Sequence, residues 1–124
     1  KIGQRKNNLN NTSVVFKLSY GRTSFLFMGD AEVPVEKELL ASGEDLRADV
    51  LKVGHHGSHS STSEEFLQAV KPRYATISCG RNNDYGHPHL STLKRLERFG
   101  VRNYRTDVDG DVVITSNGEI IFGL

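Results

Sequence analysis

Phe25-Leu26-Phe27-Met28 is apolar without a break and stops at Gly29-Asp30. A strand of that composition has no polar face to offer water, so it belongs inside a sheet covered on both sides. Residues 13–20 read as a second strand, and Gly21-Arg22 closes the two into a hairpin. The first dozen residues are polar and Asn-rich, a loop-like lead-in.

Strand and helix patterns alternate after the hairpin. Pro34 suits the first turn of a helix running through Val35, Leu39 and Leu40 and ended by Gly43. Residues 48–53 form a short apolar strand that runs into Gly54-His55-His56-Gly57. Ser61 with Glu64 and Thr62 with Glu65 are overlapping capping boxes, opening a helix through Phe66, Leu67 and Val70 that Pro72 terminates. Residues 74–78 read as a strand, and 89–99 as a third helix with Leu90, Leu93 and Leu96 turned inward and Gly100 as its C-cap. Strands follow at 101–105, 112–115 and 119–122, with turns at Asp109-Gly110 and Asn117-Gly118. This pattern predicts one α/β domain over residues 1–124: a mixed sheet with about three helices packed on it.

Composition removes several function classes. Sixteen Lys+Arg against fifteen Asp+Glu leave a net charge of +1, too little for a basic nucleic-acid arm or an acidic tail. One cysteine excludes an internal disulfide and a Cys-based zinc knuckle. No apolar run approaches the roughly 20 residues that span a bilayer, and no signal-peptide core is expected at the N-terminus.

All five histidines, His55, His56, His59, His87 and His89, fall between positions 55 and 89. Polar groups at the C-terminal ends of strands occupy the usual ligand position of α/β folds. Three such junctions carry capable side chains: Asp30, the pair His55 and His56, and Asn82, Asn83 and His87. Carboxylate and imidazole together suit Zn²⁺ or Mn²⁺. By spacing alone, Asp30 reads first as a cap for the helix behind Pro34. In an extended chain successive side chains point to opposite faces, so one of His55 and His56 is expected to face the site and the other to pack or support it. His59 reads as a solvated loop residue and His89 as a helix-start residue; Cys79 reads as a small buried apolar group. Lys94, Arg95, Arg98, Arg102 and Arg105 gather around the third helix, either as a solvated face or as an edge for the phosphates of a polyanion.

The motifs F-L-F-M-G-D, A-D-V-L-K-V-G-H-H-G-S, I-S-C-G-R-N-N-D-Y-G-H-P and Y-R-T-D-x-D-G, in that order, resemble the metallo-β-lactamase-fold domain of the ComEC family of competence (DNA-internalisation) proteins. The resemblance runs from about Asn11 to the end. It implies an αββα sandwich with a Zn or Mn site between its sheets, and hydrolysis of a DNA strand beside a membrane channel on the outer face of a bacterial inner membrane. By position, Asp30 resembles the acidic ligand that bridges two metals. His55, with His56 beside it, resembles the later histidine motif, and His87 a ligand or proton carrier at the mouth of the site. His56, His87, Asn82 and Asn83 are then the candidate catalytic residues, with Asp30 and His55 the candidate metal ligands. The family's H-x-H-x-D-H motif is absent from the 124 residues, so the chain resembles the second half of that domain. Alone, it is expected to bind metal weakly and to be inactive. Its expected partners are single-stranded DNA, the first half of the domain, the channel, and, through an uncovered sheet face, a second copy of itself. The competing expectations are a non-catalytic DNA- or partner-binding domain, and a hydrolase of another phosphoester or a lactone.

Overall fold

The computed structural model describes residues 14–80 and 86–122. In chain order the elements are β1 (Phe16–Tyr20), β2 (Thr23–Phe27), α1 (Val33–Ala41), β3 (Val50–Lys52), a short 3₁₀ segment (Gly54–Gly57), α2 (Glu64–Val70), β4 (Tyr74–Ile77), α3 (Leu90–Arg98), β5 (Arg102–Arg105), α4 (Thr106–Asp109), β6 (Thr115–Ser116) and β7 (Ile121–Phe122). The fold is α/β, as expected. Strands β1 to β5 form one mixed sheet in sequential order, and β6 pairs with β7 separately. The β1–β2 hairpin is antiparallel, and β2, β3, β4 and β5 run parallel. Parallel neighbours need crossovers, and α1, α2 and α3 supply them. Among the described residues no helix is long and apolar enough to cross a membrane.

Register explains where the core sits. Leu26 pairs with Leu51, and Leu51 with Ala75, so these three line one row across the sheet. That row and Ile77 are buried in one cluster with Val35 of α1, Phe66, Leu67 and Val70 of α2, and Leu96 of α3. Each fully buried Leu, Val or Phe contributes roughly 1.5–3 kcal/mol relative to leaving it exposed.

The other face of the sheet is only partly covered, which corrects the expectation that β2 is enclosed on both sides. Leu26 and Met28 are buried, whereas Phe25 and Phe27 are half-buried. Phe27 stacks on Phe16 at 4.7 Å between ring centroids, and Phe16, Leu18 and Tyr20 remain 52–57% exposed. The chain after β5 crosses part of this face: Val112 and Ile114 wall a cavity of about 390 Å³ with Leu18, Phe25, Phe27 and Val50. The β6–β7 turn reaches back to the first hairpin through an Arg22 N–H bond to the Gly118 carbonyl, 2.6 Å.

Three local expectations change. The cap of α2 is Ser63, whose Oγ accepts from Phe66 N at 3.2 Å, not Ser61 or Thr62. Ser61 instead donates to the Gly54 carbonyl at 2.8 Å, and Thr62 is left-handed, with φ of 60°. Leu90 is 64% exposed rather than inward. It lies about 120° around the helix from buried Leu96, and Thr92 takes the inward position. The turn expected at Asp109-Gly110 follows a single helical turn, α4, and the last two strands are two residues each.

Candidate metal centre

Three parallel strands deliver their chemistry to one end of the sheet. The turn after β2 carries Asp30, closed by an Ala31 N–H bond to the Met28 carbonyl at 3.0 Å. After β3 the chain enters Gly54–Gly57, where His55 and His56 both adopt left-handed backbone, with φ of 49° and 55°. Left-handed conformation at two successive non-glycine residues is uncommon and is held only where surroundings fix it. Here the His55 N–H bonds the Gly29 carbonyl at 2.9 Å, and its own carbonyl accepts from Ser58 N at 2.9 Å. Gly54 lies so close to the Ala31 carbonyl that a Cβ would sit 2.5 Å from that oxygen.

This backbone overturns the alternation expected for the pair. An extended chain would separate the two rings; the left-handed turn brings their centroids to 6.4 Å. His87 approaches both, at 5.4 Å from His55 and 6.0 Å from His56. The Asp30 Oδ1 lies 3.4 Å from His56 Nε2. Asp30 does not cap α1, whose N-cap is Glu32. Thus Asp30, His55, His56 and His87 converge; Asn82 and Asn83 lie outside the described residues.

The protonation of His56 follows from its partner. Its Nδ1 is 2.6 Å from the Ser78 carbonyl, an oxygen that can only accept, so Nδ1 carries a proton, while Nε2 faces a second acceptor, the Asp30 carboxylate. His87 is held mainly neutral near pH 7: burial, and then the neighbouring His89, His55, His56 and His59 imidazoles, push its pKa below 6.5.

Sequence reasoning missed several neighbours. Glu32 approaches His55 Nδ1 at 3.0 Å, and Ser60 Oγ donates to the same carboxylate. His59, read as a solvated loop residue, and His89, read as a helix-start residue, meet at 2.9 Å between their Nδ1 atoms, and His89 stands 4.9 Å from His87 ring to ring. Buried Glu36 accepts from the Thr62 and Ser63 amides. The basic group is largely spent on the fold: Arg95 donates to the Ser61 and Thr62 carbonyls, Arg98 pairs with Glu64, and Arg105 with Asp107. That favours the solvated-face reading of these residues. Cys79 is half-buried, and burial, followed by Asp107, raises its thiol pKa.

The profile of the metallo-beta-lactamase superfamily matches residues 5–81. The chain belongs to that superfamily. It is 46% identical over 103 residues to ComE operon protein 3 of Bacillus subtilis, a match covering 83% of this chain and 13% of that protein. It is 38% identical over 109 residues to Competence protein ComA of Neisseria gonorrhoeae, covering 86% and 16% respectively. Recombination protein 2 of Haemophilus influenzae is 42% identical over 103 residues, covering 83% and 13%. The chain therefore spans between 13% and 16% of the length of these curated relatives.

Members of the metallo-beta-lactamase superfamily usually bind divalent metals. The residues present fit part of such a site. Carboxylate and imidazole are the donors Zn²⁺ and Mn²⁺ take, and the Ser78 carbonyl orients the His56 ring through Nδ1. Among the described residues, however, no three His, Cys, Asp or Glu side chains gather closely enough to hold an ion unaided.

Proposed function

We propose that this chain supplies part of the metal site, and the proton-handling residues, of a hydrolase that cleaves phosphodiester bonds in a DNA strand during DNA uptake. The convergence of Asp30, His55, His56 and His87 at one end of the parallel strands carries this reading. The printed name of one relative, Competence protein ComA, supports placing the chain in competence, and a DNA strand is our reading of its substrate. Asp30 and His55 would hold Zn²⁺ or Mn²⁺, which when bound polarises a phosphoryl oxygen and lowers the pKa of water. His56 or His87 relays a proton to the leaving oxygen; His87, neutral at rest, takes that proton from water before giving it up. Asn82 and Asn83 donate hydrogen bonds to the phosphate.

The remaining ligands come from further chain of the same domain, packed on the open face around Phe16, Leu18 and Tyr20. We place that domain beside a membrane channel, on the outer face of a bacterial inner membrane. A non-catalytic DNA- or partner-binding role is the second reading, favoured by the lack of a self-sufficient ligand trio among the described residues.

The test is degradation of single-stranded DNA, with Mn²⁺ or Zn²⁺, by a protein of the relatives' length carrying this sequence. Asp30→Asn should nearly abolish cleavage while leaving the fold intact, because it removes charge where the cations would sit. Near-wild-type cleavage by that variant would end Asp30's role, and no cleavage by the wild type on any phosphodiester would move the binding reading ahead.

A further inference from the structure

Glu32 sits at the N-cap of α1 with extended backbone, φ −118° and ψ −174°, yet its side chain makes no capping bond. A carboxylate at this position ordinarily bonds the amides of the first turn. This one turns away from the helix, is 12% exposed, and lies 3.0 Å from His55 Nδ1. The Ser60 hydroxyl donates to its Oε2, and Ser58 Oγ holds Ser60 Oγ at 2.9 Å. The backbone repeats the connection, since Val33 N bonds the Ser60 carbonyl at 3.0 Å. The start of α1 is therefore fastened to the loop that carries the histidines, and the carboxylate is aimed before any ligand arrives.

We propose that Glu32 is the positioning residue of His55: its carboxylate, oriented by Ser60, holds the imidazole with the proton on Nδ1 and the lone pair on Nε2. A carboxylate can only accept, so the nitrogen facing it must be the donor. The other ring nitrogen then has the electronic form that a metal ligand requires, and the acceptor behind the ring raises its basicity. The His56 ring is oriented from a different source, the Ser78 carbonyl, through its own Nδ1. Two adjacent imidazoles thus each turn Nδ1 toward a separate acceptor, Glu32 for His55 and the Ser78 carbonyl for His56. The role of Glu32 toward a metal rests on the hydrolase reading, but its effect on the His55 ring does not.

The experiment is a long-range ¹H–¹⁵N spectrum of the histidine rings in the full 124-residue chain, metal-free, at about pH 8, above the ordinary histidine pKa of about 6.5. His55 is assigned by its loss in His55→Gln. Wild type should show His55 protonated on Nδ1. Glu32→Ala should shift it toward the Nε2–H form common in free imidazole, leaving His56 unchanged. Ser60→Ala, which keeps the carboxylate but removes its orienting donor and the hydroxyl 3.4 Å from His55 Nδ1, should give an intermediate shift and guards against misfolding of the first variant. Zn²⁺ affinity, measured by titration on the same samples, should fall about 10–100-fold in Glu32→Ala. An Nε2–H His55 in wild type, or an unchanged tautomer in folded Glu32→Ala, overturns the proposal. Absence of Zn²⁺ binding in every sample, with the tautomer shift intact, would overturn the role of Glu32 toward a metal while upholding its effect on the His55 ring.

Discussion

Glu36 is the residue whose removal should most damage the histidine loop from a distance. It is 1% exposed on the buried side of α1, and its two carboxylate oxygens accept the amides of Thr62 and Ser63, the latter at 2.9 Å. Those amides sit where the chain turns left-handed at Thr62, immediately before α2. Glu36→Ala leaves the Thr62 donor buried without its partner and the Ser63 donor partly so. An unsatisfied buried donor costs about 1–3 kcal/mol, so taking about 2 for Thr62 and about 1 for Ser63 gives about 3 kcal/mol. That is a large share of the roughly 5–15 kcal/mol that holds an ordinary domain together. Urea unfolding followed by circular dichroism should show the loss as a lowered midpoint with an unchanged slope. A loss under about 0.5 kcal/mol, the size expected of an ordinary surface change, would refute this reading of the carboxylate.

The same residue fixes a pH dependence. Burial raises the Glu36 pKa above its ordinary 4.5, outweighing the hydrogen bonds from Ser63 and Thr62 and the attraction of Arg95. The folded chain then holds this proton more tightly than the unfolded one. Its stabilising contribution is fully present below pH 4.5 and is lost as pH rises through the raised folded value. Glu36→Gln does not titrate, so wild type should gain stability relative to that variant as pH falls. A stability difference, wild type minus variant, that stays constant or falls toward acid would contradict the sign.

Two further outcomes follow from packing. Gly57→Ala should destabilise the histidine loop, because φ at Gly57 is 79° and a Cβ would meet the Pro88 Cβ at 2.6 Å; hydrogen exchange should show faster opening around residues 54–60, and unchanged protection there would contradict it. Leu18→Lys with Phe16→Lys should reduce concentration-dependent association of the isolated chain in sedimentation experiments, since both side chains are about half exposed on the open sheet face; wild type that stays monomeric at all concentrations would remove the expectation.

Most of the sheet and three of its helices could be read from local signals. Apolar runs, glycine and proline punctuation, and a Gly-Arg hairpin turn act within a few residues, so β1 to β5 and α1 to α3 appear where their patterns lie. Asp30, His55, His56 and His87 were likewise visible, because each follows a strand of a parallel sheet. What sequence did not reveal depends on contacts far along the chain. The left-handed pair at His55 and His56 is imposed by Gly29 and Ser58, and nothing in two histidines announces it. Glu32, Glu36 and Ser60 look like ordinary polar residues of a helix and a loop until the fold brings positions 32 and 60 together. Half-burial of Phe25 and Phe27 was hidden for a different reason: composition shows that a strand is apolar but not which layer covers it.

The most direct measurement is a Mn²⁺ titration of the 124-residue chain, read through paramagnetic broadening of its assigned side-chain NMR signals. If Asp30 and His55 hold the ion, the His55 and His56 ring signals should broaden first, and Asp30→Asn should abolish that broadening at the same Mn²⁺ concentration. Broadening that begins at the exposed His59–His89 pair and is unchanged by Asp30→Asn would contradict the assignment of the metal centre.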